Sequence, residues 1–332
     1  MNYDKPIRRV AIVGTGVIGA SWAAQYLACG LDVIATDPAP DAEAGLRKYI
    51  DDAWDALTTL GLAPGASRER LTVTTDMAQA VSQADLVQEN GPERPEFKKR
   101  LFADIDAATP VDSIIASSSS GITPSVMQSE CKHPERILVG HPFNPPHLIP
   151  LVEVVGGAKT SPEALGRAMK FYADIGKKPI LLHKEMPGHV ANRLQIALFR
   201  EVLYLIEQGV LSVGDADAAV SWGPGLRWAL MGPGLQYHVS GGAGGIHHFL
   251  QGVFEGLLPV LKTLGDPVIT LELKTRLAEG VLQEAGARSI EQLTSWENEQ
   301  LVALLKLRAD PNDVRLQDAE SLTHQRNGHA NE

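Results

Sequence analysis

The chain has 332 residues, 44% apolar and 21% charged, an ordinary globular balance over a length that predicts about two domains. Its 30 basic against 40 acidic side chains leave a formal charge of −10, which excludes a broad basic footprint for nucleic acid. Cys29 and Cys131 lack metal-ligand spacing, residues 1–9 lack the apolar core of a secretory signal, and no stretch approaches the roughly 18 apolar residues of a membrane span, so the expectation is a soluble, cytoplasmic, metal-free protein.

In chain order, residues 8–13 read as a short buried strand, followed by a glycine run and a helix over 20–28. A second strand over 31–36 ends at Asp37, and 41–61 is helical, with Leu46, Ile50, Trp54 and Leu57 recurring on one face. Strands follow at 71–74 and 86–88, separated by a short helix ending near Gln83; then come a helix over 96–108 and strands at 114–116 and 137–140. Strand alternating with helix at this spacing predicts an α/β, Rossmann-type domain with a parallel sheet covered on both faces. The character changes near Pro187. A long apolar helix over 190–208 opens a region with little strand signal, punctuated by glycine clusters and free of any internal repeat or long linker. The expected organisation is a nucleotide-binding domain over 1–187, an all-α substrate and dimerisation domain over 188–316, and a polar, flexible tail over 317–332.

Gly14-Thr15-Gly16-Val17-Ile18-Gly19 follows a strand and opens a helix. Gly14 suits the tight turn, Gly16 lets a pyrophosphate approach the backbone, and Gly19 permits close helix–strand packing. The helix amino terminus, through the N–H groups of Val17 and Ile18, faces the phosphates. Such a pattern alone is weak, but here strand, helix and an acid at the next strand end coincide. Asp37, 23 residues after Gly14, suits the ribose hydroxyls and repels a 2′-phosphate, which predicts NAD rather than NADP.

Four further segments carry chemistry: Ala116-Ser117-Ser118-Ser119-Ser120, His141-Pro142-Phe143-Asn144-Pro145, Leu151-Val152-Glu153-Val154-Val155, and Pro187-Gly188-His189-Val190-Ala191-Asn192-Arg193-Leu194. Oxidising a secondary alcohol by hydride transfer needs a base for the hydroxyl proton, and histidine, with an unperturbed pKa of about 6.5, serves near neutral pH. His141 is the candidate. A carboxylate on its other ring nitrogen, Glu153, would fix the tautomer and stabilise the imidazolium, while Ser120 and Asn192 could hydrogen-bond the reacting oxygen.

These segments resemble the successive motifs of 3-hydroxyacyl-CoA dehydrogenases, in the same order and at matching spacing, from about Arg8 to about Gly232. The resemblance implies the same roles for His141, Glu153, Ser120 and Asn192, and a homodimer built through the helical region. It favours Ser120 over Ser118 and Ser119 because Ser120 lies 21 residues before His141. It also implies a cofactor-side or active-site position for Asn144, and for Glu93 and Lys98 a place beside the nicotinamide end of the cofactor.

Within the superfamily the chain looks more like the lambda-crystallin (L-gulonate 3-dehydrogenase) and L-carnitine dehydrogenase branches. Residues 41–70 are short beside the CoA-holding helical arm of acyl-CoA enzymes, and Pro142-Phe143 stands where those enzymes carry paired phenylalanines. Residues 224–232, with Arg227-Trp228, resemble both free-acid branches, and residues 241–250 resemble the carnitine branch. Arg227 could clamp a substrate carboxylate in a bidentate pair, the alternative being an interdomain or dimer salt bridge. The expected reaction is therefore NAD-dependent oxidation of a small 3-hydroxy acid (carnitine-, gulonate- or 3-hydroxybutyrate-like) to the 3-keto acid. The competing readings are a dehydrogenase of CoA thioesters and a non-catalytic, crystallin-like NAD-binding protein.

Overall fold

A computed structural model describes residues 5–308; the tail expected over 317–332 lies outside the described residues. The described residues divide into two compact units, one running through Asn192 and including Glu297–Leu307, the other comprising Arg193–Trp296.

In the first unit, short β-branched runs become strands and the segments between them helices. The order is β1 (Arg9–Val13), α1 (Val17–Ala28), β2 (Asp32–Thr36), α2 (Ala42–Leu60), β3 (Leu71–Thr74), α3 (Met77–Val81), β4 (Leu86–Glu89), α4 (Pro95–Ala108) and β5 (Ile114–Ser117). It continues with α5 (Pro124–Met127), β6 (Ile137–Pro142), β7 (Leu151–Gly156), α6 (Pro162–Asp174) and β8 (Lys178–Leu182). All eight strands join one sheet in the order β3-β2-β1-β4-β5-β6-β7-β8. The first six are parallel and wind outward both ways from β1 and β4, the arrangement that opens a ligand crevice at the carboxyl ends of the strands.

Alternation along each strand divides the core. Val10 and Ile12 of β1 pack with α1, α2 and α6 on one face, whereas Ala11 and Val13 pack with Val81, Phe102, Ile105 and Met127 on the other. Helix α1 is buried along most of its length, with Trp22, Tyr26 and Leu27 fully enclosed.

The expectation of an entirely parallel sheet is corrected at its far side, where β7 runs antiparallel to β6. Only residues 143–150 connect them, too few for the crossover that a parallel partner requires. Strand β8, parallel to β7, carries no sequence signal because it is an edge strand with Pro179 near its start and Ile180 and Leu181 half-exposed.

The second unit is helical: most of α7 (Ala191–Glu207), then α8 (Val213–Ser221), α9 (Pro224–Trp228), α10 (Pro233–Ser240), α11 (Gly245–Gln251), α12 (Val253–Leu261) and α13 (Leu271–Ala285), with α14 (Ile290–Arg308) beginning in it. Its main cluster of buried apolar side chains is small, Ile206, Val213 and Leu273 with Val202, Leu203 and Leu277 against them.

Candidate active site

The glycine loop joins β1 to α1 at the carboxyl edge of the sheet. Gly14 has φ +89° and its N–H donates to the Thr36 carbonyl at 2.9 Å. A Cβ on Gly19 would stand 1.9 Å from the Gly14 carbonyl oxygen, so the turn closes only around glycine there. A Cβ on Gly16 would meet nothing within 4 Å, leaving open space directly before α1. No side chain caps this helix, and its first carbonyl bond is made by the Ala20 N–H to Gly16, so the Val17, Ile18 and Gly19 N–H groups precede any intrahelical partner. The open approach and the uncapped, positive helix terminus fit a pyrophosphate. Asp37 buttresses the loop: Oδ2 accepts from the Thr15 N–H at 2.8 Å and from its hydroxyl at 3.2 Å, and Oδ1 accepts from the Ala39 N–H at 2.9 Å. An ionised carboxylate has about four acceptor sites, and the three bonds leave capacity for a ribose hydroxyl.

Antiparallel pairing of β6 with β7 sets His141 directly opposite Glu153. His141 Nδ1 lies 2.9 Å from Glu153 Oε2, and both side chains are buried. The other carboxylate oxygen, Oε1, accepts the N–H groups of Val190 at 2.8 Å and Ala191 at 2.9 Å. Burial alone would raise the Glu153 pKa, but the bonds from His141, Ala191 and Val190 together outweigh it and hold the carboxyl below the ordinary value. Glu153 is thus ionised near neutral pH and accepts from Nδ1–H, the tautomer in which Nε2 carries the lone pair. The same carboxylate anchors the start of α7, where Asn192 follows Ala191 in the chain.

The four serines separate by their partners. Ser117 Oγ donates to Glu89 at 2.6 Å, and Ser118 Oγ donates to Asn90 at 2.7 Å while accepting from Gln88 and Trp22. Ser119 Oγ lies 2.9 Å from both oxygens of Glu93. Ser120 Oγ has only a 3.3 Å contact with Glu93, although the Ser120 N–H is held by the same oxygen at 2.7 Å. Its hydroxyl is therefore the least committed of the four.

Of the expected Glu93–Lys98 pair, Glu93 grips the serine turn and stands 3.9 Å from Lys98. Lys98 is itself buried, its Nζ 2.8 Å from each oxygen of Glu89, so Glu89 is its principal counter-ion. Glu89 escaped the sequence reading, although an acid at a strand end nine residues before a lysine was the available signal. Asn144 is exposed at the start of the β6–β7 loop. That loop is pinned by Ser21, which bonds both Nδ1 and N–H of His147, and by buried Lys177, whose Nζ donates to the carbonyls of Pro146 and Ile149. Burial pulls the Lys177 ammonium down to about 7, against a smaller upward pull from Cys29. Arg227 lies exposed on α9 in the helical unit and forms no ion pair among the described residues. No cluster of three or more metal-ligating side chains occurs among them, and no described helix is long and apolar enough to cross a membrane.

A doubly wound sheet with an open glycine loop at its switch point defines a dinucleotide-binding domain, and with the relatives it matches the class is an NAD-dependent oxidoreductase acting on a CH–OH group. Residues 9–186 match the 3-hydroxyacyl-CoA dehydrogenase NAD binding domain and residues 188–280 match the 3-hydroxyacyl-CoA dehydrogenase C-terminal domain; the chain belongs to this family. It is 48% identical to an L-carnitine dehydrogenase of Bacillus cereus, over 91% of this chain and 92% of that one. An L-carnitine dehydrogenase of Streptomyces griseus is also 48% identical, over 90% of each chain. Among solved structures, 5-formyl-3-hydroxy-2-methylpyridine 4-carboxylic acid 5-dehydrogenase, an NAD+-dependent dismutase, superposes with a TM-score of 0.78 at 33% identity, covering 91% of this chain and 98% of that one.

Proposed function

We propose that this protein oxidises the hydroxyl of a small, free 3-hydroxy acid of the carnitine type to the 3-keto acid, with His141 as general base. The observation that carries this reading is the His141–Glu153 pair at 2.9 Å, buried on adjacent strands beside the serine turn and the start of α7. The glycine loop and the N–H groups of Val17, Ile18 and Gly19 would hold NAD, which would supply the hydride acceptor for the carbinol carbon. His141 Nε2 receives the hydroxyl proton, and ionised Glu153 stabilises the imidazolium through Nδ1–H. Ser120 and Asn192 hydrogen-bond the reacting oxygen, and Asn144 and Glu93 lie on the cofactor side. Arg227 meets the carboxylate. A free acid is supported by relatives that span nearly the whole chain and are named for carnitine and for a pyridine carboxylic acid. Turnover of L-carnitine and other short 3-hydroxy acids in an NAD-coupled absorbance assay tests it; no turnover of any free acid would overturn it.

Asp37 selects NAD in this reading. Asp37→Asn drops the charge and turns its NH2 against either the Thr15 or the Ala39 N–H, so discrimination against NADP should narrow and the NAD KM should rise, though less than on truncation. Asp37→Ala also frees the Thr15 and Ala39 N–H groups, and should raise the NAD KM by about tenfold or more, in line with the ~1.5–3 kcal/mol of a charged hydrogen bond. A wild-type preference for NADP would refute the assignment.

The working form is a homodimer. In the helical unit Leu194 is 65% and Trp222 79% exposed, and Leu226, Leu235, Val239 and Val253 are each more than half exposed, beside a small core. Apolar surface of that extent calls for a partner. Light scattering at micromolar concentration should return twice the chain mass; a monomer would contradict the dimer. Free Cys29 and Cys131 support a reducing, cytoplasmic setting.

A further inference from the structure

His189 stands in the segment that opens α7 and has no part in the chemistry above, yet three features set it apart. It is 1% exposed. Among the described residues it is the non-glycine residue with a left-handed backbone, φ +49°, in the turn over 187–190 where its N–H donates to the Met186 carbonyl at 2.9 Å. Its Nε2 lies 2.9 Å from the Ser119 carbonyl, while Nδ1 is buried with no hydrogen-bond partner. A carbonyl only accepts, so the proton sits on Nε2 and Nδ1 is a bare lone pair.

A residue needed only to fill space would not leave a buried acceptor unpaired; a phenylalanine would pack as well. What histidine adds is the one N–H on the Ser119 carbonyl. That bond reaches a turn already gripped from its other side, where Glu93 takes the Ser119 hydroxyl at 2.9 Å, the Ser120 N–H at 2.7 Å and the Gly121 N–H at 3.3 Å. On the near side, the two residues after His189 deliver their N–H groups to Glu153, and the His189 ring centroid is 5.0 Å from that of His141. We propose that His189 is a positioning residue: its Nε2–H ties the serine turn to the start of α7, holding the Ser120 hydroxyl in place relative to His141, Glu153 and Asn192.

The role requires a proton on Nε2, which the neutral Nε2–H tautomer and the imidazolium both carry. Burial is the largest influence and lowers the His189 pKa, the Ser119 carbonyl raises it, His141 lowers it, and the carboxylates of Glu153 and Glu93 raise it; the net direction is down. That direction favours the neutral ring with its single proton on Nε2, and protonation of Nδ1 would leave the Nε2–H tie in place.

The proposal rests on reading Ser120 as a ligand of the reacting oxygen, and a double-mutant cycle separates the two ideas. His189→Phe removes the donor and should lower kcat by about 10–100-fold, the scale of a small misplacement of reacting groups, with the NAD Kd unchanged. His189→Gln places an amide N–H at the reach of Nε2 and should recover most of the loss. His189→Gly fits the backbone without a donor and serves if the phenylalanine variant does not fold; it should be impaired as well. In a Ser120→Ala background, adding His189→Phe should cost little further. If Ser120→Ala is impaired but His189→Phe or His189→Gly turns over normally, or the two effects simply multiply, the positioning role is wrong. If Ser120→Ala is itself silent, the role of the serine falls first and that of His189 with it.

Discussion

Replacing His141 by alanine is expected to lower kcat by about 10²–10⁴-fold, the range for loss of a general base, while the NAD Kd stays near its wild-type value because the glycine loop lies on other strands. Glu153→Gln should come close to the same loss for a more particular reason. Two backbone N–H groups, from Val190 and Ala191, converge on Oε1 and demand an acceptor there. The amide of glutamine therefore turns its oxygen to the backbone and its NH2 to His141. A donor facing Nδ1 forces the imidazole proton onto Nε2, and the nitrogen that should accept the substrate proton is then already protonated. Steady-state kinetics with a thermal-unfolding control distinguishes this from misfolding. A folded Glu153→Gln variant with near-normal kcat would overturn the pairing, and a folded His141→Ala variant with near-normal kcat would overturn the base.

The second large effect is expected at Arg227. A free hydroxy acid brings a carboxylate close to the reacting carbon, and enclosing that charge requires a cation. A CoA thioester has no charge at that point. Arg227→Ala should therefore lower kcat/KM for the acid by about 30-fold (~2 kcal/mol), the lower end for truncating one partner of a desolvated pair, because Arg227 is solvent-exposed before substrate arrives. Arg227→Lys keeps the charge but loses the planar fork, so its KM should rise by a smaller factor. The comparison that decides is kcat/KM for a short 3-hydroxy acid against its CoA thioester, in wild type and both variants. A better wild-type rate on the thioester, indifferent to Arg227, would reject the free acid in favour of the CoA substrate.

Both results depend on features that differ in how far they can be read along the chain. The glycine loop, Asp37 at the end of the next strand, and the alternation of short apolar runs with helical segments are local. Each depends on neighbours within one or two turns, and the strands expected at 8–13, 31–36, 71–74, 86–88, 114–116 and 137–140 stand within a few residues of those positions. His141 and Glu153 were recognisable as candidates from the order of their motifs, since motif order is also a property of the chain.

What only the tertiary structure decided is pairing. Strand direction is settled by which edge is available and by the length of the connection, so the antiparallel return of β7, and with it the register that faces Glu153 to His141, is absent from local periodicity. Edge strand β8, half-exposed and beginning Lys178-Pro179, has no alternation to detect. Chemically identical serines were divided into committed and available hydroxyls only by partners 28, 28, 26 and 27 residues away, at Glu89, Asn90 and, for the last two, Glu93. His189 found the Ser119 carbonyl, 70 residues distant, for the same reason. A hydrogen bond between residues so far apart in the chain depends on how the strands assemble, so residue type and spacing could nominate the groups of this site, whereas folding alone chose their partners.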